Sequence, residues 1–192
     1  MFMKNNELNA LCKEVALPQP PQQQVVKFLL SKIPPFKAPT NAKKWIRESQ
    51  RLRSMALSKI YLRGWPRAVV RAKPRIVWGA TLRPDPSYVI RKLRFEAFPG
   101  YWIPALLYEP LHGKGKLPAV LNPNGHHVGG KAITYKQARC ANLARRGMLA
   151  LNFEFIGMSE LGGDAAHNNI GLLDLSGMAG VGVFYLAMRK AL

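Results

Sequence analysis

The strongest constraint on the fold comes from two short apolar runs that flank a glycine-bearing loop and a helical segment. The first run covers residues 117–121 and the second covers 148–153. Short, mainly apolar runs of this kind are typical of strands that are buried on both faces of a sheet. The intervening residues 133–146 favour a helix, which Gly147 ends. Strand, loop, helix and strand in this order predict a parallel βαβ unit.

The residues before this unit predict antiparallel strands. Segments 75–82, 88–98 and 101–108 are rich in β-branched and aromatic residues and partly alternate. The turn-forming sequences Pro84-Asp85-Pro86 and Pro99-Gly100 separate them. The predicted fold class is therefore α/β, with antiparallel strands that lead into the first parallel unit.

The N-terminal region predicts a helical extension. Its Pro/Gln tract, residues 17–24, lacks backbone donors at its prolines, so we expect an exposed connector that does not continue a helix. Pro39-Thr40-Asn41 offers capping residues for a helix over about residues 41–62. We expect three segments: an extension at 1–40, a basic helical segment at 41–74 and the α/β part at 75–192. Residues 1–35 indicate no function.

The C-terminal segment, residues 172–192, has helical spacing and no charge between Asp174 and Arg189. It predicts a helix pressed against the sheet. Gly177, Gly180 and Gly182 each weaken an isolated helix by about 1 kcal/mol, so we expect them to permit close backbone approach.

The chain is strongly basic, with 29 Lys and Arg against 10 Asp and Glu and a formal net charge of +19. Residues 43–94 hold 15 of these cations and two acids, interleaved with aromatic residues: Trp45, Tyr61, Trp65, Trp78 and Tyr88. Basic residues with aromatics are what a single-stranded nucleic-acid groove uses. A nucleic-acid or polyanion-binding module is therefore an alternative function, although no known module's fingerprint is present and a solvated basic face is the simpler interpretation.

Other features exclude several classes. An apolar fraction of 48% indicates a folded protein, and no run of about 18 apolar residues predicts a membrane span. No secretory signal is recognisable, so a cytoplasmic, soluble protein is the default expectation. Cys12 and Cys140 lie far apart without zinc-type spacing, so we expect buried thiols rather than a disulfide or a metal.

The segment 118–131 carries the most informative chemistry. A buried strand that ends in a loop with Gly125, Gly129 and Gly130 places backbone N–H groups beyond the carboxyl edge of the sheet, where open α/β sheets bind ligands. Two such donors can stabilise a developing oxyanion. An ordinary turn between strand and helix is the competing interpretation.

From about residue 88 onward the chain resembles the α/β-hydrolase superfamily, and within it the bacterial acetyl-xylan-esterase-like group. The matching pieces include F-P-G-Y-W-I-P, L-P-A-V-L-N-P-N-G-H-H and F-I-G-M-S-E-L, within residues 95–110, 117–127, 135–152 and 155–161. The resemblance implies an incomplete α/β-hydrolase fold and serine-dependent ester hydrolysis, with acetylated carbohydrate as the substrate class and no cofactor. By position it assigns an oxyanion-hole amide to Gly125, His126 or His127.

The nucleophile that this family requires is not recognisable. It is a serine in a G-x-S-x-G turn between a strand and a helix, followed by an acid and a histidine. Ser159 and Ser176 come closest, and neither has both glycines. We expect the triad to be encoded beyond Leu192, which makes this a truncated chain that is inactive alone. A degraded paralogue that pairs with a complete hydrolase through its sheet edge is a further alternative.

Other polar residues have weaker roles. His112 predicts a solvated turn, and the adjacent His126 and His127 point apart, so no shared metal is expected. His167 follows Asp164 in D-x-x-H, and we expect it to tie its loop to an active-site wall. Glu154 follows a parallel strand, where it either lines the same wall or lies on the surface.

Overall fold

The computed structural model describes residues 7, 9–10, 20–113, 115–125, 127–157, 159–162 and 170–192. Two compact units, Met1–Glu48 and Ser49–Leu192, divide the chain. The expected boundaries after residues 40 and 74 stay predictions. None of the described helices is long and apolar enough to cross a membrane.

In the first unit the prediction for the Pro/Gln tract is wrong in part. Helix α1, Pro21–Ser31, begins inside the tract, with Pro21 in its first turn. A proline is tolerated there because the first N–H groups of a helix have no carbonyl partner within it. Residues 17–19 lie outside the described residues. Helix α2, Ala42–Met55, starts as predicted, since the Lys44 N–H donates to Asn41 Oδ1 at 2.9 Å.

The second unit contains the remaining helical segments and all five described strands. After α2 come a π-helical turn, Ala56–Tyr61, and helix α3, Arg67–Arg71. The strands are β1 (Ile76–Asp85), β2 (Tyr88–Phe98), β3 (Tyr101–Pro110), β4 (Ala119–Pro123) and β5 (Leu149–Phe153). Helices α4 (Thr134–Arg145), α5 (Gly171–Leu175) and α6 (Gly182–Lys190) complete it.

The sheet has the order β1-β2-β3-β5-β4, and β1, β2 and β3 form the predicted antiparallel meander. Strand β5 is antiparallel to β3 and parallel to β4, with Ala119 opposite Leu149 and Pro123 opposite Phe153. Helix α4 connects β4 to β5 and is followed by Gly147, whose φ is 80°. The central prediction, a parallel βαβ unit, is confirmed.

Helices cover both faces of the sheet. On one face α4 packs on a cluster that contains Tyr88, Tyr108 and Cys140. On the other face α6 contributes Ala187 to a cluster around Phe95 and Phe153. These helices place the carboxyl ends of β4 and β5 beside the loop that precedes α4.

Strand β4 differs from its prediction, because only Asn122 among its five residues is buried. It lies at the edge of the sheet, so its outer side has no partner strand among the described residues. Beside it, on the face that α6 only partly covers, is an apolar groove of about 260 Å³ whose lining includes Leu93, Leu107, Leu121 and Leu151.

The C-terminal segment forms two helices rather than one. Gly177, at a φ of 84°, separates α5 from α6, and glycine adopts this left-handed conformation without steric cost. The expected close approach is confirmed at Gly182, where an added Cβ would lie 2.2 Å from Trp65 Nε1. The Trp65 indole N–H donates to the Ala179 carbonyl at 2.9 Å.

Candidate functional site

The predicted oxyanion loop lies at the carboxyl end of β4 and folds through consecutive tight turns. The His127 N–H donates to the Gly125 carbonyl at 2.9 Å, and the Gly130 N–H donates to the His127 carbonyl at 2.9 Å. The exposed His127 ring packs edge-on against Tyr135, with ring centres 6.0 Å apart. His126 lies outside the described residues. Gly125 is exposed at the tip, and the assignment of oxyanion donors stays a prediction.

Two buried asparagines tie this loop to β5. Asn124 Nδ2 donates to the Phe153 carbonyl at 2.7 Å, and Asn152 Nδ2 donates to the Lys131 carbonyl at 3.0 Å. Both side chains are almost inaccessible to solvent. Each Oδ1 atom lacks a hydrogen-bond partner among the described residues. Both ends of the loop are therefore fastened to the strand beside it.

Glu154 is inside the protein, so the surface alternative for this residue is wrong. Its exposed fraction is 0%. Its Oε1 accepts hydrogen bonds from the Lys131 backbone N–H at 2.9 Å and from Lys131 Nζ at 3.2 Å. Gly130 lies directly against the carboxylate, since an added Cβ would come within 2.2 Å of Oε2. Glu154 thus contacts the loop directly, and the expectation that it lines the wall of an active site stays a prediction.

Two lysines complete the charge distribution. Lys131 also pairs with Glu160, which lies in the short 3-10 turn Ser159–Leu161 and is exposed. Lys136, on α4, is buried, and its Nζ has no hydrogen-bond partner in the described part of the chain. Burial lowers the pKa of Lys136, and the negative charge of Glu154 opposes that shift.

Sequence reasoning missed Lys131, Lys136, Asn124 and Asn152. A signal is present for Asn152, because it lies within an apolar run that was itself predicted to be buried, whereas Asn124 lies beyond the end of the other run. A polar residue in a buried strand is the informative exception to apolar burial. The two lysines carry no such signal, because their burial depends on contacts with residues distant in sequence.

Neither candidate serine has the surroundings of a nucleophile. Ser159 has a φ of 42°, a strained value that a nucleophile turn also has, but no hydrogen bond of its hydroxyl to a described residue is present. The exposed Ser176 hydroxyl donates to the Leu173 carbonyl at 2.7 Å. Asp164 and His167 lie outside the described residues. His112 is exposed in a turn, as predicted.

The described residues form no recognisable centre for metal or thiol chemistry. No group of three or more His, Cys, Asp or Glu side chains that could hold a metal occurs among the residues the structure describes. Cys140 is buried as predicted, and burial raises the pKa of its thiol to about 11. Cys12 lies outside the described residues.

The aromatic residues of the basic stretch differ in their exposure in the described structure. Trp65 and Tyr88 are buried, and Tyr61 packs on another tyrosine with ring centres 5.6 Å apart. The Arg91 guanidinium lies 4.0 Å from the centre of the Trp78 ring. Trp45 and Trp78 remain exposed, at 49% and 47%, and the polyanion-binding alternative stays a prediction.

Comparisons with known proteins identify the fold. No family model matches the sequence, and no curated protein matches it. A candidate acetyl xylan esterase from Bacteroides fragilis NCTC 9343 superposes with a TM-score of 0.66 at 16% identity, covering 88% of this chain and 49% of that one. An acetyl xylan esterase from Paenibacillus sp. R4 gives a TM-score of 0.49 at 17% identity, covering 90% of this chain and 50% of that one.

The chain spans about half the length of these solved structures. The matching structures are esterases, and the match includes the mixed sheet and the helices on its faces. This chain therefore has an acetyl-xylan-esterase-like fold, which matches part of an α/β-hydrolase-like fold.

Proposed function

We propose that this chain is the N-terminal half of a serine-dependent carboxylic ester hydrolase, with acetylated carbohydrate as its substrate class. The observation that carries the proposal is the parallel pairing of β4 with β5, with the glycine-bearing loop at their carboxyl ends. This is the edge of an α/β sheet at which ligands bind. The esterase-like fold supports the reaction class.

In this proposal the loop around Gly125 and His127 supplies a backbone N–H to the substrate's carbonyl oxygen. A serine oxygen bonds to the carbonyl carbon, negative charge develops on the carbonyl oxygen, and the alcohol leaves with a proton. Water then hydrolyses the acyl-enzyme to the carboxylate and regenerates the serine. In this proposal the loop lowers the barrier because a donor on a backbone that is already fixed needs no reorganisation when the charge develops.

We propose that the serine, the acid and the histidine lie in a polypeptide segment that follows residue 192. The surroundings of Ser159 and Ser176 support this, since neither hydroxyl contacts a described histidine. The partly exposed β4 edge and the apolar groove beside it also favour a larger sheet. A strand edge and leucine side chains left in water are energetically unfavourable, and further strands and helices would cover them.

The test is to express a longer chain that continues past residue 192 and to label it with a fluorophosphonate, which reacts covalently with activated serines. Mass spectrometry of the labelled peptides locates the reacting serine. We expect one labelled serine, outside residues 1–192, and loss of 4-nitrophenyl acetate hydrolysis on labelling. A longer chain that hydrolyses no acetyl ester and takes up no label would contradict the proposed function.

A further inference from the structure

We propose that Glu154 and Asn152 form a clamp on the backbone of Lys131 that fixes the described loop residues 125 and 127–131. The clamp makes Glu154 a positioning residue for the oxyanion donors, and this role rests on the proposed function. The loop geometry itself does not depend on that function, so the two can be tested separately.

The clamp holds one residue from both sides. The Lys131 N–H donates to Glu154 Oε1 at 2.9 Å, and the Lys131 carbonyl accepts from Asn152 Nδ2 at 3.0 Å. These bonds fix the two peptide groups that flank the Lys131 Cα. Glu154 and Asn152 both have an exposed fraction of 0%, so water does not compete for their bonds.

Gly130 shows that the carboxylate and the loop backbone are in close contact. Its φ is 48°, and an added Cβ would lie 2.2 Å from Glu154 Oε2 and 2.4 Å from Oε1. The carboxylate therefore occupies the space in which any other residue at position 130 would place its side chain. Removing the carboxylate would leave both a void and an unpaired Lys131 N–H.

A continuous series of backbone bonds extends from the clamp to the loop tip. Lys131 is joined to Gly130, whose N–H donates to the His127 carbonyl at 2.9 Å. The His127 N–H in turn donates to the Gly125 carbonyl at 2.9 Å. The position of Gly125 is thus coupled to Glu154 through three hydrogen bonds and the peptide bond between Gly130 and Lys131.

Charge strengthens the same contact. Lys131 Nζ lies 3.2 Å from Glu154 Oε1, so the side chain and the backbone N–H of one residue converge on one oxygen atom. Lys131 also pairs with Glu160, but that carboxylate is exposed and accepts no hydrogen bond from the described part of the loop backbone. Glu160 is therefore the matched control: it shares the lysine partner and lacks the backbone bond.

The experiment measures amide hydrogen exchange by NMR in the full 192-residue chain and in Glu154→Ala, Glu154→Gln and Glu160→Gln. In Glu154→Ala we expect exchange at residues 127–131 to accelerate about tenfold or more, with α4 and β5 amides unchanged. Glu154→Gln keeps a carbonyl acceptor, so it should restore most of the protection while the Lys131 amide proton moves upfield, because its acceptor is no longer charged. Glu160→Gln should leave the loop as in the parent.

Two results would overturn the clamp. One is that amide exchange at residues 127–131 in Glu154→Ala stays within about twofold of the parent, or that it accelerates no more there than in α4 and β5. If Glu154→Ala does not fold, Glu154→Gln decides: an unmoved Lys131 amide resonance contradicts the contact. Because none of these readouts uses activity, a longer chain without esterase activity would refute the proposed function and leave the clamp result intact.

Discussion

Replacing Gly182 by alanine tests the packing of α6 against the segment that carries Trp65. The new Cβ would lie 2.2 Å from Trp65 Nε1 and 2.5 Å from the Tyr61 carbonyl oxygen, where ordinary contacts begin near 3.4 Å. The indole would have to move until its distance from the new Cβ reached about 3.4 Å. Its 2.9 Å hydrogen bond to the Ala179 carbonyl would then break.

The magnitude follows from three contributions. Overpacking costs about 1–3 kcal/mol, and an unpaired buried indole N–H costs about 1–3 kcal/mol more. The higher helix propensity of alanine returns at most about 1 kcal/mol. We therefore expect Gly182→Ala to lower the free energy of unfolding by about 1–6 kcal/mol.

Urea denaturation followed by circular dichroism measures this change. Gly171→Ala is the control, because Gly171 also begins a helix and an added Cβ there meets no atom within 4 Å. We expect the control to be as stable as the parent or slightly more stable. A Gly182→Ala protein within about 0.5 kcal/mol of the parent would refute the packing described for Trp65.

Three further predictions concern charged groups. Hydrogen bonds from Arg75 and the Gly100 N–H lower the pKa of Glu96 to about 2, so stability should be lost as the pH falls below about 4.5 toward 2. The urea midpoint of Glu96→Gln should vary less over that range than the midpoint of the parent. An equal variation in the two proteins would contradict this. Burial lowers the pKa of Lys136 below its usual 10.5, so the folded state binds fewer protons than the unfolded state and stability should rise with pH toward 10.5. Lys136→Met should raise the thermal midpoint at pH 7 and remove this dependence of stability on pH. A lower midpoint would contradict this, because it would show that the amine has a favourable partner. Lys190 Nζ donates to the Val69 and Val70 carbonyls, each at 3.1 Å. In urea denaturation, Lys190→Met should lower the free energy of unfolding by about 1–3 kcal/mol, whereas Arg189→Met, at an exposed position, should lower it little. Equal losses of stability in the two variants would contradict a specific role of Lys190.

The strands were predictable where local turn chemistry marks their ends. Strand β2, Tyr88–Phe98, matches its predicted bounds because Pro86 precedes it and Pro99-Gly100 follows it. The C-terminal break was not predictable from spacing alone, because helical periodicity continues through Gly177 while that residue's positive φ turns the chain. The exposure of β4 depends on which strands lie beside it, and an apolar run does not encode its neighbours.

The candidate site was predictable only in outline. The glycines locate the loop, since a strand followed by Gly125, Gly129 and Gly130 favours a ligand-binding turn. The burial of Glu154 was not predictable, because its partner Lys131 is 23 residues away and on a different element. Contacts of this kind are set by the parallel pairing of β4 with β5, which brings both residues to one edge of the sheet.

The most direct test of the central claim is hydrolysis of 4-nitrophenyl acetate by the purified 192-residue chain, with and without a serine-directed inhibitor. An oxyanion loop has nothing to stabilise until a nucleophile attacks, so we expect the chain to release nitrophenol no faster than a matched inert protein, and the inhibitor to change nothing. Turnover by this chain that the inhibitor abolishes would contradict a reactive serine located outside it.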